Sequence, residues 1–189
     1  MGETIRAFIA AEISPETRGK IGDLISRLKK HEGIRWVRPE SIHITLRFLG
    51  NITSEQVDLI HEAMEEAVKD TSPVSVEVSG WGSFPPEKRP RVFWLGLGKG
   101  GPELSGFFEK LEKELVKRGL GEADKAFSPH LTIGRVKSPK ALSKVTKSLE
   151  HKASGSFGEF TVERVVLFQS KLLPEGALYT ALRESNFSG

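Results

Sequence analysis

Ser41-Ile42-His43-Ile44-Thr45-Leu46-Arg47-Phe48-Leu49-Gly50 alternates polar and apolar residues over the length of one strand. Successive strand side chains point to opposite faces, so His43, Thr45 and Arg47 are expected on one face and Ile44, Leu46 and Phe48 on the other. The apolar face would pack on a helix, and the polar face would look into water or a cleft. Ser128-Pro129-His130-Leu131-Thr132-Ile133-Gly134 repeats the pattern, with His130 and Thr132 opposed to Leu131 and Ile133. A single His-x-Thr carries no signal, because both residue types sit readily on half-buried strands. Two copies, each heading an alternating apolar strand, carry one.

Outward from these strands the chain reads as a repeat. Thr4–Ala11 alternates as a strand, and Ser14-Pro15-Glu16 supplies a cap, a first-turn proline and a first-turn acid for a helix presenting Ile21, Leu24, Ile25 and Leu28. A short extended piece surrounds Trp36. Thr53-Ser54-Glu55 opens a second helix, with Val57, Ile60, Met64 and Val68 as its stripe, and Val74–Trp81 is a strand. After the rigid, basic connection Phe84-Pro85-Pro86-Glu87-Lys88-Arg89-Pro90 the order recurs. It runs strand Val92–Leu97, helix Pro102–Lys117, strand His130–Val136, helix Pro139–Leu149 and strand Glu159–Phe168, and a last strand, Leu178–Arg183, closes the chain. Phe8 lies 35 residues before His43 (43 − 8), and Phe93 lies 37 before His130 (130 − 93). The expected fold is α+β: a bilobal, pseudo-twofold duplicated unit in which antiparallel sheets line a central cleft and helices pack outside. All 189 residues would form one two-lobed catalytic domain, with approximate halves 1–84 and 91–189.

Composition narrows the chemistry. Hydrophobic residues make up 38% and charged residues 28%, the balance of a globular chain. There is no cysteine, which excludes disulfides, thiolate nucleophiles and cysteine-type zinc sites. The net charge of +3 permits an anionic partner without requiring one. No apolar run approaches the roughly 18 residues a membrane span needs, and the first residues lack a signal peptide's apolar core. The expectation is a cytoplasmic monomer with no membrane partner.

If a pseudo-twofold relates the halves, the two polar faces meet, aiming two imidazoles and two hydroxyls at one point. Phosphodiester hydrolysis needs such a set: a base for the attacking oxygen, an acid for the departing one, and neutral donors for the phosphoryl oxygens. With a pKa near 6.5, histidine serves either proton-transfer role near neutrality. Each well-placed acid or base contributes about 10²–10⁴-fold. Threonine hydroxyls donate to phosphate and stabilise developing charge. The motif histidines have no carboxylate partner at ligand spacing, so neither a metal nor another cofactor is expected.

These motifs resemble the two-histidine phosphoesterase superfamily, with its paired H-x-[ST]-x signatures, and within it the bacterial and archaeal RNA 2′,3′-cyclic phosphodiesterases, historically called 2′-5′ RNA ligases. The resemblance covers nearly the whole chain. It includes Arg6-Ala7-Phe8-Ile9-Ala10, His43 through Gly50, Pro90-Arg91-Val92-Phe93-Trp94-Leu95-Gly96, Phe127 through Ile133, and Phe168-Gln169-Ser170-Lys171-Leu172 followed by Gly176 and Tyr179. It implies opening of an RNA 2′,3′-cyclic phosphate end to a 2′-phosphate, with His43 as proton donor to the 3′ oxygen and His130 as proton acceptor from water. A 5′-hydroxyl in place of water would give a 2′-5′ linkage. Arg135 matches a family phosphate contact, although strict alternation places it opposite His130 unless Gly134 introduces a bulge. Arg47 has the right parity for the same role, and Phe8 is a candidate to stack on the terminal base.

Two other readings keep the motifs: a phosphodiesterase for a small cyclic nucleotide or sugar cyclic phosphate, and a non-catalytic RNA-binding module. Gly96-Leu97-Gly98-Lys99-Gly100-Gly101 lacks the phosphate-loop spacing and ending, and reads as a strand-to-helix turn before Pro102. His31, His61 and His151 read as solvated, and Trp36, Trp81 and Trp94 as core or lobe-interface aromatics. Lys88, Arg89 and Arg91 read as a solvated basic loop.

Overall fold

Local signals set the helices. Ser14 has extended backbone and its hydroxyl accepts a hydrogen bond from the Thr17 N–H at 3.2 Å, starting α1 (Pro15–Leu28). Thr53 and Gln56 form a reciprocal capping box at the start of α2 (Ser54–Val68). In α3 (Gly101–Lys117) the residues Leu104, Phe107, Leu111 and Leu115 make one buried stripe. The fourth helix, α4, spans Leu142–Lys152. The computed structural model describes residues 4–86, 89–139, 142–174 and 176–189. Lys88, and residues 140 and 141 at the start of the expected Pro139–Leu149 helix, lie outside these.

Nine strands form one sheet among the described residues: β1 (Ile5–Glu12), β2 (Ile34–Trp36), β3 (His43–Ile52), β4 (Val74–Phe84), β5 (Val92–Lys99), β6 (Leu131–Val136), β7 (Ser156–Val162), β8 (Arg164–Leu173) and β9 (Gly176–Asn186). The order is β7-β4-β5-β6-β3-β1-β8-β9, with β2 paired to β6, and every ladder is antiparallel. The two four-stranded halves join at β3 and β6, where the ladder consists of the pair Ile44–Leu131.

Two features depart from the sequence reading. Glu159–Phe168, expected as one strand, is β7 followed by β8, and these lie in opposite halves of the sheet. The chain crosses over at Glu163, and the apolar pattern continues through Val162 and Val165 without a glycine or proline to mark the break. The spatial halves also draw on both ends of the chain. β4 pairs with β5 and β7, whereas β8 and β9 return to complete the half that holds β1 and β3.

One buried cluster underlies the sheet. Ala7, Ile9, Ala11, Ile44 and Leu46 supply the first half and Phe93, Leu95, Leu131 and Ile133 the second, all against residues of the four helices. Each fully buried Leu, Ile or Phe side chain contributes about 1.5–3 kcal/mol of transfer free energy. The expected pairing of Phe8 with Phe93 is one residue out of step. Ile9 and Phe93 both face the helices, whereas Phe8 faces the cleft outside this cluster.

Candidate active site

The seam brings the two motifs together. Extending the Ile44–Leu131 register one residue each way sets His43 across from Thr132, and Thr45 across from His130. Ile44 and Leu131 point into the core, so all four polar side chains share the cleft face.

Each imidazole is oriented in the same way. His43 Nδ1 lies 2.8 Å from the Ser41 carbonyl oxygen, and His130 Nδ1 lies 2.6 Å from that of Ser128. A carbonyl only accepts, so Nδ1 carries the proton in both rings and Nε2 is the nitrogen available for chemistry. His43 Nε2 lies 2.9 Å from Thr45 Oγ1. The serine two positions before each histidine is visible in the sequence, as Ser41 and Ser128. It is the peptide carbonyl, however, that does the orienting.

Aromatic rings enclose both histidines. Phe8 stacks on His43 at 4.8 Å between ring centroids, and Tyr179 meets the same imidazole edge-on at 5.3 Å. Phe168 stacks behind Phe8 at 5.4 Å. Across the cleft, Phe84 approaches His130 edge-on at 5.0 Å and Trp94 lies 6.1 Å away. Trp94 is therefore a wall of the cleft. Its indole occupies the space that a Cβ on Gly82 would need, so only glycine fits there. Burial holds His43 well below the usual imidazole range, to about 4, with the His130 charge adding to the effect and the Ser41 carbonyl opposing it. His130 is lowered by burial and by the Arg135 guanidinium, against the Ser128 carbonyl. Near neutrality both rings are neutral in the free protein.

A bulge follows each motif and overturns the parity rule. On β3 the register with β1 slips between Ile9–Arg47 and Ala10–Thr45, leaving Leu46 as the extra residue. Arg47 thereby joins Ile9 on the helix side, buried to 7% exposure. Its Nε lies 3.1 Å from Glu112 Oε2, and Nη2 donates to the Gly121 carbonyl at 3.0 Å. Arg47 is thus not at the cleft; it ties β3 to α3 and to the segment that leads into the second motif. The same Glu112 accepts from the Ala123 N–H at 2.6 Å through Oε1.

On β6 the register with β5 slips between Phe93–Gly134 and Trp94–Thr132. The slip returns Arg135 to the cleft face, three residues after Thr132, where its charge acts on His130 and Tyr179. The bulge raised as a possibility for Arg135 is present, with Ile133 as the inserted residue. Three residues after Thr45 stands Phe48, the equivalent position, 62% exposed and 6.0 Å from Phe8. Phe8 itself is 3% exposed, with His43 and Phe168 stacked on it, which leaves no free face for a base. Sequence reasoning alone does not assign Phe48, Phe84, Trp94 or Tyr179 to the site. A bulge-aware reading, counting three residues from each threonine, would find Phe48.

The remaining candidates lie away from the cleft. Arg89 and Arg91 are exposed, and His31 Nε2 meets Ser148 Oγ at 2.9 Å between α1 and α4. Residues 96–99 of the glycine-rich stretch 96–101 belong to β5, which runs to Lys99, and Gly100 caps α3. A cavity of about 670 Å³ lies between α3 and the 122–126 segment, on the side opposite the histidines. No helix among the described residues is long and apolar enough to cross a membrane.

Two imidazoles and two hydroxyls thus face one another across the seam, with the Arg135 guanidinium close enough to act on His130, a set able to give and take protons around an anion. The chain belongs to the LigT-like phosphoesterase family, whose model matches it over residues 12–94 and again over 97–179. It is 36% identical over 181 residues to an RNA 2′,3′-cyclic phosphodiesterase of Archaeoglobus fulgidus, covering 95% of this chain and 98% of the relative. To the enzyme of the same name from Aquifex aeolicus it is 31% identical over 194 residues, covering 99% and 100%. Among solved structures, TT0787 of Thermus thermophilus superposes with a TM-score of 0.81 at 27% identity, covering 97% of this chain and 98% of that one. Escherichia coli LigT in complex with 3′-AMP shares the fold, with a TM-score of 0.76 at 22% identity over 99% of this chain and 100% of that one.

Proposed function

We propose that this chain hydrolyses the 2′,3′-cyclic phosphate at an RNA end to a 2′-phosphomonoester, using its two histidines as acid and base without a metal. The observation that carries the reading is the facing of His43 and Thr45 with Thr132 and His130 across the seam. The near full-length likeness to enzymes named RNA 2′,3′-cyclic phosphodiesterase supports the substrate. His130 Nε2 takes a proton from water as the water oxygen bonds to phosphorus. The bond from phosphorus to the 3′ oxygen breaks, and His43 Nε2 gives that oxygen its proton. The products are a 2′-phosphate and a free 3′-hydroxyl. Thr45 and Thr132 donate to the non-bridging oxygens, and Arg135 offsets their charge. Phe48 offers the terminal base an open ring face, the role that the sequence alone suggests for Phe8. A 5′-hydroxyl in place of water would give a 2′-5′ linkage by the same proton transfers, but water's far higher concentration favours hydrolysis. The working unit is the two-lobed domain as a monomer in the cytoplasm.

The test is turnover of a 2′,3′-cyclic-phosphate oligonucleotide in excess chelator, with the product phosphate mapped. A 2′-phosphate formed at an undiminished rate is expected. No turnover, or turnover only with added metal, defeats the proposal.

The depressed imidazoles set the pH dependence. Catalysis through the free enzyme requires one proton on the pair, and both rings titrate below 6.5. As pH rises through the upper of the two macroscopic values that proton is lost. kcat/KM is therefore expected to peak on the acid side of 6.5, and above the upper value to fall about tenfold per pH unit. A bound phosphate anion favours the protonated rings, so the kcat profile should lie at higher pH than that of kcat/KM. A kcat/KM optimum above pH 7 would contradict this protonation scheme.

A further inference from the structure

Beside the cleft, where β2 and β6 approach the β8–β9 hairpin, lie Arg35 and Arg38, which the acid–base chemistry does not use. The β2–β6 register places Arg35 directly across from Arg135. Like charges in that position repel, so the pairing works against the sheet unless an anion lies between or above them. Arg35 Nη2 and Arg38 Nε each lie 3.7 Å from the point a Cβ on Gly176 would occupy, so the two guanidiniums converge over one glycine. Arg38 Nη2 donates to the Ala177 carbonyl at 2.9 Å, which fixes that side chain against β9. Among the described residues, none of Arg6, Arg35, Arg38 and Arg135 forms an ion pair with a carboxylate, whereas Arg47, Arg118, Arg164 and Arg183 all do.

These cations adjoin a cavity of about 300 Å³ lined by Arg38, Glu40, Ser41, Ala177, Leu178 and Tyr179. Glu40, the carboxylate in this lining, is exposed, and among the described residues it forms no ion pair with Arg38. The cavity shares a wall with the active site, because the Ser41 carbonyl holds His43 Nδ1 and the Tyr179 ring meets His43 edge-on. Burial raises the Tyr179 hydroxyl, while the fields of Arg135, Arg6 and Arg38 oppose that shift. Arginines that form no ion pair with a carboxylate among the described residues, next to a site proposed to act on one phosphate, fit a second phosphate on the same strand.

We propose that Arg35 and Arg38 form a subsite for the phosphodiester one nucleotide 5′ of the cyclic end. The enzyme then favours RNA of two or more nucleotides over a cyclic mononucleotide. This inference rests on the proposed function for its substrate and adds a length requirement that the catalytic residues do not impose.

The test compares a dinucleotide and a mononucleotide, each ending in a 2′,3′-cyclic phosphate, for the wild type and the double variant Arg35→Gln/Arg38→Gln. The wild type should prefer the dinucleotide by about tenfold or more in kcat/KM, the order expected for hydrogen bonds to a charged group. The double variant should lose that preference with mononucleotide turnover unchanged. Its dinucleotide reaction should also show a salt slope shallower by about 0.7 for each phosphate charge no longer neutralised. Equal use of both substrates by the wild type, or an equal fall on both in the variant, overturns the subsite. Binding of a 2′-phosphorylated dinucleotide and of a nucleoside 2′-phosphate separates the two claims. If neither cyclic substrate turns over but the variant selectively loses dinucleotide binding, the hydrolytic reading fails and the subsite stands; equal loss on both ligands overturns the subsite as well.

Discussion

His130→Ala is expected to lower turnover of a 2′,3′-cyclic-phosphate oligonucleotide by about 10²–10⁴-fold, the usual contribution of a positioned acid or base. The imidazole lies at the cleft with its Nδ1 held by the Ser128 carbonyl and the Phe84 and Trp94 rings beside it, so its removal leaves the buried core untouched. His43→Ala should cost a similar factor in turnover. It also removes the ring stacked on Phe8, so folding should be checked in the same preparation. If the two histidines act on one transition state, as proposed, the double variant should be far less than multiplicatively worse than either single one. Unchanged turnover in a folded single variant would eliminate the acid–base assignment. Retained binding without turnover would instead dispose of the passive RNA-binding module.

The second large effect separates two arginines that the sequence treats alike. Arg47→Ala should destabilise the protein by about 3–5 kcal/mol, because it strands Glu112 near the core with its charge uncompensated. Glu112 is also the anchor for the Ala123 N–H, so the substitution should loosen the segment before His130. Arg135→Ala should do the opposite: little change in the denaturant midpoint, and kcat/KM down by about 10- to 100-fold as a charge-assisted hydrogen bond to the phosphate disappears. Urea titrations and steady-state kinetics on the two variants decide the matter. A stable Arg47→Ala protein with weakened substrate binding would mean that the guanidinium works in the cleft after all.

That contrast also marks where the sequence stops being readable. Strand parity locates His43, Thr45, His130 and Thr132 correctly, because each pair spans two residues with no insertion between. It fails one step later, at Leu46 and Ile133, since an extra residue in a strand reverses every side chain beyond it and leaves no mark in polarity. Arg47 passes as a cleft residue only because a buried ion pair and a solvent-facing arginine look the same in a one-dimensional pattern. Phe8 shows the converse. Its cleft-facing placement follows from alternation, but its burial depends on Phe168 and Tyr179, which arrive from the far end of the chain. The stretch from Phe160 to Phe168 hides the crossing at Glu163 for a related reason: its one mark is Glu163-Arg164, two polar residues in succession between the inward-facing Val162 and Val165, with no glycine or proline beside them. Helix starts are legible because the residues at Ser14 and Thr53 act on neighbours only a few positions away.

The strand order also has a consequence for how the chain is made. β4 to β7 are consecutive, so the four main strands of the half that carries His130 form one continuous stretch nested inside the other, with β2 added from earlier in the chain. The half around His43 is discontinuous. Its strands β1 and β3 are synthesised first, but they wait for β8 and β9, and the rings that enclose His43 come from Phe8 at one end and Tyr179 at the other. A nascent chain can thus assemble the inner sheet while the outer one is still missing a flank. The two histidines can meet as soon as β3 and β6 pair, but the enclosure of His43 is complete only once β9 has brought in Tyr179.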